Sequence, residues 1–167
     1  MKKWLSVSNI FTLVIVTIVV ILQAPSFFNN IRQAGTILPG QQYEVIGSNT
    51  SASVHFPPKD SRGIAIFWAT WCGPCKVEMA RLKSSVENGN IPREKIFAVN
   101  LFEDQQVIKK FLAQNSYPFT FISAPEVAKQ INVKATPTTL FLDNGMITSM
   151  SSGMSLIGIW KAEFFLR

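Results

Sequence analysis

The stretch "IFWATWCGPCKVEM", Ile66 to Met79, decides how this chain is read. It holds Cys72 and Cys75, the only two cysteines in 167 residues. A pair so spaced is a structural staple, part of a metal site or an electron-trading couple, and its surroundings have to separate these. The run before it, "RGIAIFWA" over 62–69, is continuously apolar, as a strand buried on both faces should be. After Gly73 the pattern turns helical. Cys75, Met79, Leu82 and Val86 recur at i, i+4, i+7 and i+11, and Asn88-Gly89 stops the repeat. Cys72 is therefore expected where a strand ends and a helix begins. Unpaired backbone N–H groups and the helix dipole favour an anion there, and the thiolate is the reactive form of cysteine. Gly73 and Pro74 suit a helix start, because proline in the first turn gives up no hydrogen bond. Cys75 lies one turn on, inside the apolar stripe, and is expected to be buried, whereas Cys72 is expected to be exposed. An exposed, acidic sulfur with a buried partner suits thiol–disulfide exchange, in which Cys72 attacks and Cys75 resolves.

The other uses of a cysteine pair fit less well. Zinc takes about four ligands, and the remaining candidate, His55, is a single residue distant in sequence. It follows a strand pattern in "SVHFPP" and reads as a satisfied strand-end histidine. Two thiolates alone suit Cu(I), which keeps a copper-binding module open as a rival. A staple closing so short a loop constrains the unfolded chain very little.

The hydrophobic fraction of 47% excludes a disordered chain, although the N-terminus inflates it. "MKKWLSVSNIFTLVIVTIVVILQ" opens with Lys2 and Lys3 and then carries no charge until Arg32. Trp4 to Leu22 is nearly long enough to cross a bilayer as a helix, and in lipid the backbone must satisfy its own hydrogen bonds whatever its β-branched content. "LQAPSFF" is a poor cleavage site, which favours an anchor over a cleaved signal. The two lysines place the N-terminus in the cytoplasm and export the rest. The expected organisation is a cytoplasmic tip and transmembrane anchor over 1–24, a linker over 25–40 and a globular domain over 41–167. The net charge is +6, but without a basic run or basic–aromatic interleaving, so nucleic acid is not an expected partner.

Further along, "QYEVIG" and "SASVHF" alternate as a β-hairpin does. "KIFAVNL" is a buried strand, and Asp104 can cap a helix whose apolar positions are Val107, Ile108, Phe111 and Leu112. "PFTFIS" is a short strand. Ser123-Ala-Pro-Glu126 has the form of a capping box with Pro125 near the first helical position. "TTLFLD", Asn144-Gly145 and "MITSM" form a hairpin with a two-residue turn. After Gly153 a last helix puts Leu156, Ile159, Trp160 and Phe164 on one side. The order ββ, βα, βα, βα, ββ, α predicts an α/β fold, a mixed central sheet covered by helices. Its chemistry is expected beyond the carboxyl ends of the strands, where Cys72 falls.

At this point a family resemblance enters. "FWATWCGPC" resembles the active-site strand and motif of the thioredoxin superfamily, and "KATPTTLFLDNG" resembles its second signature, a threonine before a cis-proline and the strand that follows. With the apolar N-terminus, the leading hairpin and "FLAQNSYPFTFISAPEVAKQINVKATPTT", the chain is most similar to the membrane-tethered TlpA/ResA-like branch over roughly 38–155. The resemblance implies a thioredoxin-like fold with an extra N-terminal β-hairpin, preceded by one transmembrane helix. It implies Cys72 as the attacking and Cys75 as the resolving cysteine, and no cofactor beyond the Cys72–Cys75 redox disulfide itself. Trp71, Gly73, Pro74, Thr136 and Pro137 become the expected substrate-binding surface, with Trp68 left to the core; Gly153 and Met154 sit where the family has a substrate-facing loop.

The departures matter as well. Thioredoxin has a buried aspartate on the strand before the motif, where this chain has Ile66. The TlpA/ResA-like branch has a glutamate three residues after the second cysteine, and Glu78 stands there, as a proton relay or in a surface ion pair with Arg81. A proline often follows two residues later; here it is Ala80, so the resemblance does not carry a kink over to this helix. The insert typical of cytochrome-maturation members is missing. The resemblance thus implies a single-pass protein of the cell membrane with a periplasmic or extracytoplasmic catalytic domain. Its partners would be disulfide-containing exported proteins and a membrane thiol electron donor. Gly-Pro between the cysteines resembles reducing members; the same exchange run as an oxidase or isomerase is the alternative.

Overall fold

The structure is a computed structural model that describes residues 10–18, 21, 31–47, 52–155 and 157–167. β3 (Arg62–Trp68) is its centre. Alternate side chains of a strand point to opposite faces, and here both faces are covered. Ile64, Ile66 and Trp68 enter one core, and Ala65 and Phe67 enter the other. β4 (Ile96–Asn100) and β5 (Thr120–Ser123) extend the sheet in parallel on one side. β6 (Thr138–Asp143) and β7 (Met146–Ser152) extend it antiparallel on the other, giving the order β5-β4-β3-β6-β7. The tight turn from β6 to β7 needs left-handed backbone at both central residues, which Asn144 (φ 49°) and Gly145 (φ 78°) supply.

α1 (Gly73–Glu87), α2 (Gln105–Gln114) and α4 (Gly158–Leu166) contribute to the core that holds Ile64, Ile66 and Trp68. The other face carries α3 (Pro125–Gln130) and a hairpin of β1 (Gln41–Glu44) with β2 (Ser53–Phe56). Phe56 is fully buried against Phe97, their ring centroids 5.2 Å apart, and Tyr43 meets its edge. The hydroxyl of Tyr43 and Nε2 of Gln41 both donate to Oε1 of Glu126 on α3. Burial and the Glu126 carboxylate push the Tyr43 pKa up to about 12.

Residues 35–38, within the stretch expected to be a linker, dock on the free edge of β7. Gly35 N–H donates to Ile147 O, Ile147 N–H to Thr36 O and Leu38 N–H to Gly145 O. They cover an edge strand that would otherwise present unpaired backbone. The anchor expected over 1–24 lies largely outside the described residues. Residues 10–18 are helical, and no helix among the described residues is long and apolar enough to cross a membrane.

Three local expectations are corrected. Ser123 does not cap α3: Ala124 occupies the N-cap position without a side-chain bond, and Glu126, the other half of the expected box, is engaged by Tyr43 and Gln41. Val107 is exposed; Ile108 is the buried residue of α2. On α4 the buried residues are Ala162 and Leu166, with Ile159 and Phe165 packed beside them, while Trp160 and Phe164 are 73% and 81% exposed. The small Ala162 lets the helix approach the sheet, and Arg62 fixes its rotation by stacking on the Phe165 ring and donating to the Phe165 carbonyl. Leu156 lies outside the described residues.

Phe56→Ala should therefore destabilise the fold by about 3–5 kcal/mol, and Trp160→Ala by less than about 0.5 kcal/mol. Urea denaturation of the two variants measures both.

Candidate active site

Cys72 is the N-cap residue of α1, with extended backbone (φ −77°, ψ 100°). Its N–H donates to Ala69 O at 3.1 Å, which turns the chain sharply off the end of β3. Its Sγ accepts from Cys75 N–H at 3.2 Å. This sulfur thus takes the place of the oxygen that normally satisfies an unpaired donor in the first helical turn. Cys72 and Cys75 are joined as a disulfide, with Cα atoms 5.3 Å apart. Gly73 and Pro74 are the first residues of the helix, and Gly73 faces open space.

Cys75 is fully buried, but Cys72, expected to be exposed, is only 3% exposed. Bonded to Cys75 Sγ and accepting the Cys75 N–H, its sulfur is turned in towards the helix end. Trp71 beside it is 66% exposed and stacks on Phe102 at a centroid distance of 6.5 Å. Trp68 is fully buried between Phe111 and Phe121.

The Thr136–Pro137 peptide bond is cis, as is Phe56–Pro57. Pro137 O accepts from Gly153 N–H at 2.7 Å, which sets the loop carrying Gly153 and Met154 beside the proline. Thr136 and Trp71 line one groove of about 500 Å³, which opens beside the disulfide-bearing helix end. His55 is turned away from this region, its Nδ1–H donating to Pro57 O.

Glu78 sits elsewhere. It is 4% exposed and lines a small cavity beneath α4 with Ser155, Gly158 and Lys161. Arg81 Nη1 donates to its Oε2 at 3.2 Å and to Ser155 O at 2.7 Å. The expected ion pair therefore exists, but it is buried at the carboxylate end. Burial raises the Glu78 pKa above the usual carboxylate range, and the guanidinium offsets this only in part.

A second carboxylate, Glu103, escaped the sequence reading. Its Oε2 accepts from Thr70 N–H and from Asn100 Nδ2, each at 2.7 Å, and its Oε1 accepts from Thr70 Oγ1 at 2.5 Å. Asn100, fully buried at the end of β4, in turn accepts from the N–H groups of Phe102 and Glu103. Glu103 thus clasps the loop that leads into Cys72. Burial alone would raise its pKa, but the bonds from Thr70 and Asn100 outweigh it and hold the carboxyl below the usual range. The one available signal was a polar Asn-x-x-Glu breaking the apolar run "FAVNLFED" at a strand end.

The family model described as the AhpC/TSA family matches residues 40–150, a span that holds both cysteines, Glu78, Glu103 and Pro137. The chain belongs to the AhpC/TSA family. It is 30% identical over 95 residues to the sporulation thiol-disulfide oxidoreductase A of Bacillus subtilis, across 54% of this chain and 58% of that protein. It is 28% identical over 130 residues to the thiol-disulfide oxidoreductase ResA of Oceanobacillus iheyensis, across 75% of this chain and 68% of that one. The match thus spans little more than half to two thirds of these relatives. The crystal structure of StoA from Bacillus subtilis superposes with a TM-score of 0.61 at 22% identity, covering 79% of this chain and 98% of that one. The fold is therefore thioredoxin-like, and among these relatives the site is that of an AhpC/TSA-family protein carrying a cysteine pair.

The two carboxylates should titrate stability in opposite directions. Glu78, its native pKa raised, keeps a proton that the unfolded chain has released, so its contribution is lost as pH rises from the ordinary glutamate range through the native pKa. Glu103, its native pKa lowered, contributes above the ordinary range and loses that contribution as pH falls through the native pKa. Glu103→Gln should cost about 2 kcal/mol at pH 7 and approach wild type in acid. Glu78→Gln should lose the decline on the alkaline side of the ordinary range. Denaturation series between pH 3 and 8 read both.

Proposed function

We propose that the protein is an exported, membrane-tethered thiol–disulfide oxidoreductase that works as a reductase. The observation that carries this reading is the Cys72–Cys75 disulfide at the start of α1, with Cys72 Sγ capping the helix. A thiolate at that sulfur would accept the Cys75 N–H and face the positive end of the helix dipole, which favours the anion.

A dithiol donor reduces the disulfide and is itself oxidised. Cys72 thiolate then attacks one sulfur of a substrate disulfide; a Cys72–substrate bond forms, the substrate S–S bond breaks, and the departing thiolate takes up a proton. Cys75 loses its proton and attacks Cys72 Sγ, which restores the Cys72–Cys75 bond and expels the second substrate sulfur as a thiolate that takes up a proton in turn. Two electrons and two protons reach the substrate, and no cofactor is required. Glu78, one helical turn from Cys75 and with a raised pKa, is the group in this helix suited to take the Cys75 proton. Trp71 and Thr136 flank the path by which a substrate chain reaches Cys72, and Gly73, without a side chain, leaves that path open.

The tether is supported by the uncharged stretch from Trp4 to Leu22 and by the helical residues 10–18, whose apolar side chains are exposed. Lys2 and Lys3 favour a cytoplasmic N-terminus, leaving the thioredoxin-like domain outside the cytoplasm with disulfide-containing exported proteins as substrates and a membrane thiol donor as its source of electrons.

Cys72→Ser should abolish reduction of insulin disulfides, whereas Cys75→Ser should accumulate a mixed disulfide through Cys72, visible on non-reducing gels. Alkylation trapping in intact cells should find the pair mostly reduced. A mostly oxidised pair would assign the oxidase direction instead, and insulin reduction undiminished in Cys72→Ser would end the oxidoreductase reading.

A further inference from the structure

The groove beside the site has an uneven character. One wall is the exposed Trp71–Phe102 stack. The lining also includes Lys129 on α3 and Lys134 in the loop that leads to Thr136, both exposed. Among the described residues, these lysines are the only charged ones lining the groove. The carboxylates on the adjoining elements are committed elsewhere: Glu103 to Thr70 and Asn100, Asp104 to the N–H of Gln106, and Glu126 to Tyr43 and Gln41. Those bonds come from uncharged donors and leave the carboxylates charged, but none of the three lines the groove, so among the described residues its lining charge is positive. Its volume of about 500 Å³ lies in the range of pockets that enclose a few side chains.

We propose that this groove selects substrate segments in which the disulfide cysteine is accompanied, a few residues away, by an acidic side chain, with an apolar one between. The apolar side chain packs on the Trp71–Phe102 stack, the carboxylate lies between Lys129 and Lys134, and the extended backbone passes Thr136 with its sulfur at Cys72. This rests on the oxidoreductase reading and adds a substrate class to it. Complementary charge across such a surface sets specificity and encounter rate more than bulk affinity.

The test uses the full chain in detergent, reduced beforehand with a dithiol. Its substrates are three peptide disulfides that differ at one position, three residues from the cysteine, as glutamate, serine or lysine. Reduction rates should rank glutamate above serine above lysine, spanning about three- to ten-fold, the scale of two exposed ion pairs. The ranking should vanish near 1 M salt, where the screening length is about 3 Å, and should invert in the Lys129→Glu, Lys134→Glu double variant. Equal rates for the three peptides, or an unchanged ranking in the double variant, would overturn the proposal. The uncharged bis(2-hydroxyethyl) disulfide separates the two levels of inference. If it is reduced while the peptides are not ranked, only the groove assignment fails; if it is not reduced, the oxidoreductase reading fails and the groove assignment with it.

Discussion

The structure depends on where β3 ends. Its seven residues are buried on both faces apart from the first, so their register is fixed by two independent cores, and a slip of one residue would exchange every side chain between them. That fixes Ala69, whose carbonyl receives the Cys72 N–H and starts the turn into α1. The same turn makes Cys72 an N-cap residue instead of an ordinary loop thiol. Cys72 is thus placed by a strand packed on both faces, one short turn beyond the core.

A rigid strand positions only one end of a loop, and the other constraint comes from β4. β3 and β4 run parallel and finish at the same edge of the sheet. Asn100 closes β4 and orients Glu103, and Glu103 reaches back to Thr70. The clasp therefore joins the two strand ends at the place where open α/β sheets bind their ligands. It also sets the relation of Trp71 to Phe102, since each aromatic directly neighbours a clasped residue. An ionised carboxylate suits this role because all three donors point at it, and a neutral side chain would answer only some of them.

Much of this was legible in the sequence for a simple reason: the features concerned are local or periodic. The both-face burial of β3 shows as an unbroken apolar run, the β6–β7 turn as Asn144-Gly145, and the helix start as Cys72-Gly73-Pro74-Cys75. What could not be read depends on contacts far apart in the chain. Ser123-Ala-Pro-Glu126 has the right spacing for a capping box, but Glu126 is claimed by Tyr43 from a strand 83 residues away in sequence. On α4, Ile159, Ala162, Leu166 and Trp160, Phe164 form competing stripes of similar apolarity, and the inner one is the stripe whose neighbour Phe165 meets Arg62 and Phe141 from distant strands. Glu103 looks like a surface acid until β4 is placed beside β3. The burial of Cys72 follows from the disulfide, which spacing permits but does not impose.

The sequence leaves Glu78 as either a proton relay or one half of a surface ion pair, and the structure shows the pair with its carboxylate end buried. Where the chain resembles thioredoxin, the strand position that would carry a buried acid is Ile66, on the face of β3 that packs into the same core as Cys75. Glu78 projects from the facing helix and lines its cavity with Ile64, two residues along the same strand face. The carboxylate has in effect moved from strand to helix while staying on the same side of the sheet. The move brings a cost, because the acid is then buried with nothing polar on the strand to receive it. Arg81 answers that cost from one turn further along α1, and it is itself held by the Ser155 carbonyl. An ion pair that fully neutralised the effect of burial would leave Glu78 permanently ionised and useless as a proton acceptor of raised affinity. Burial instead outweighs the guanidinium, so the pair stabilises the position of the carboxylate while leaving its proton affinity high. A buried ion pair and a high proton affinity are thus combined in a single arrangement.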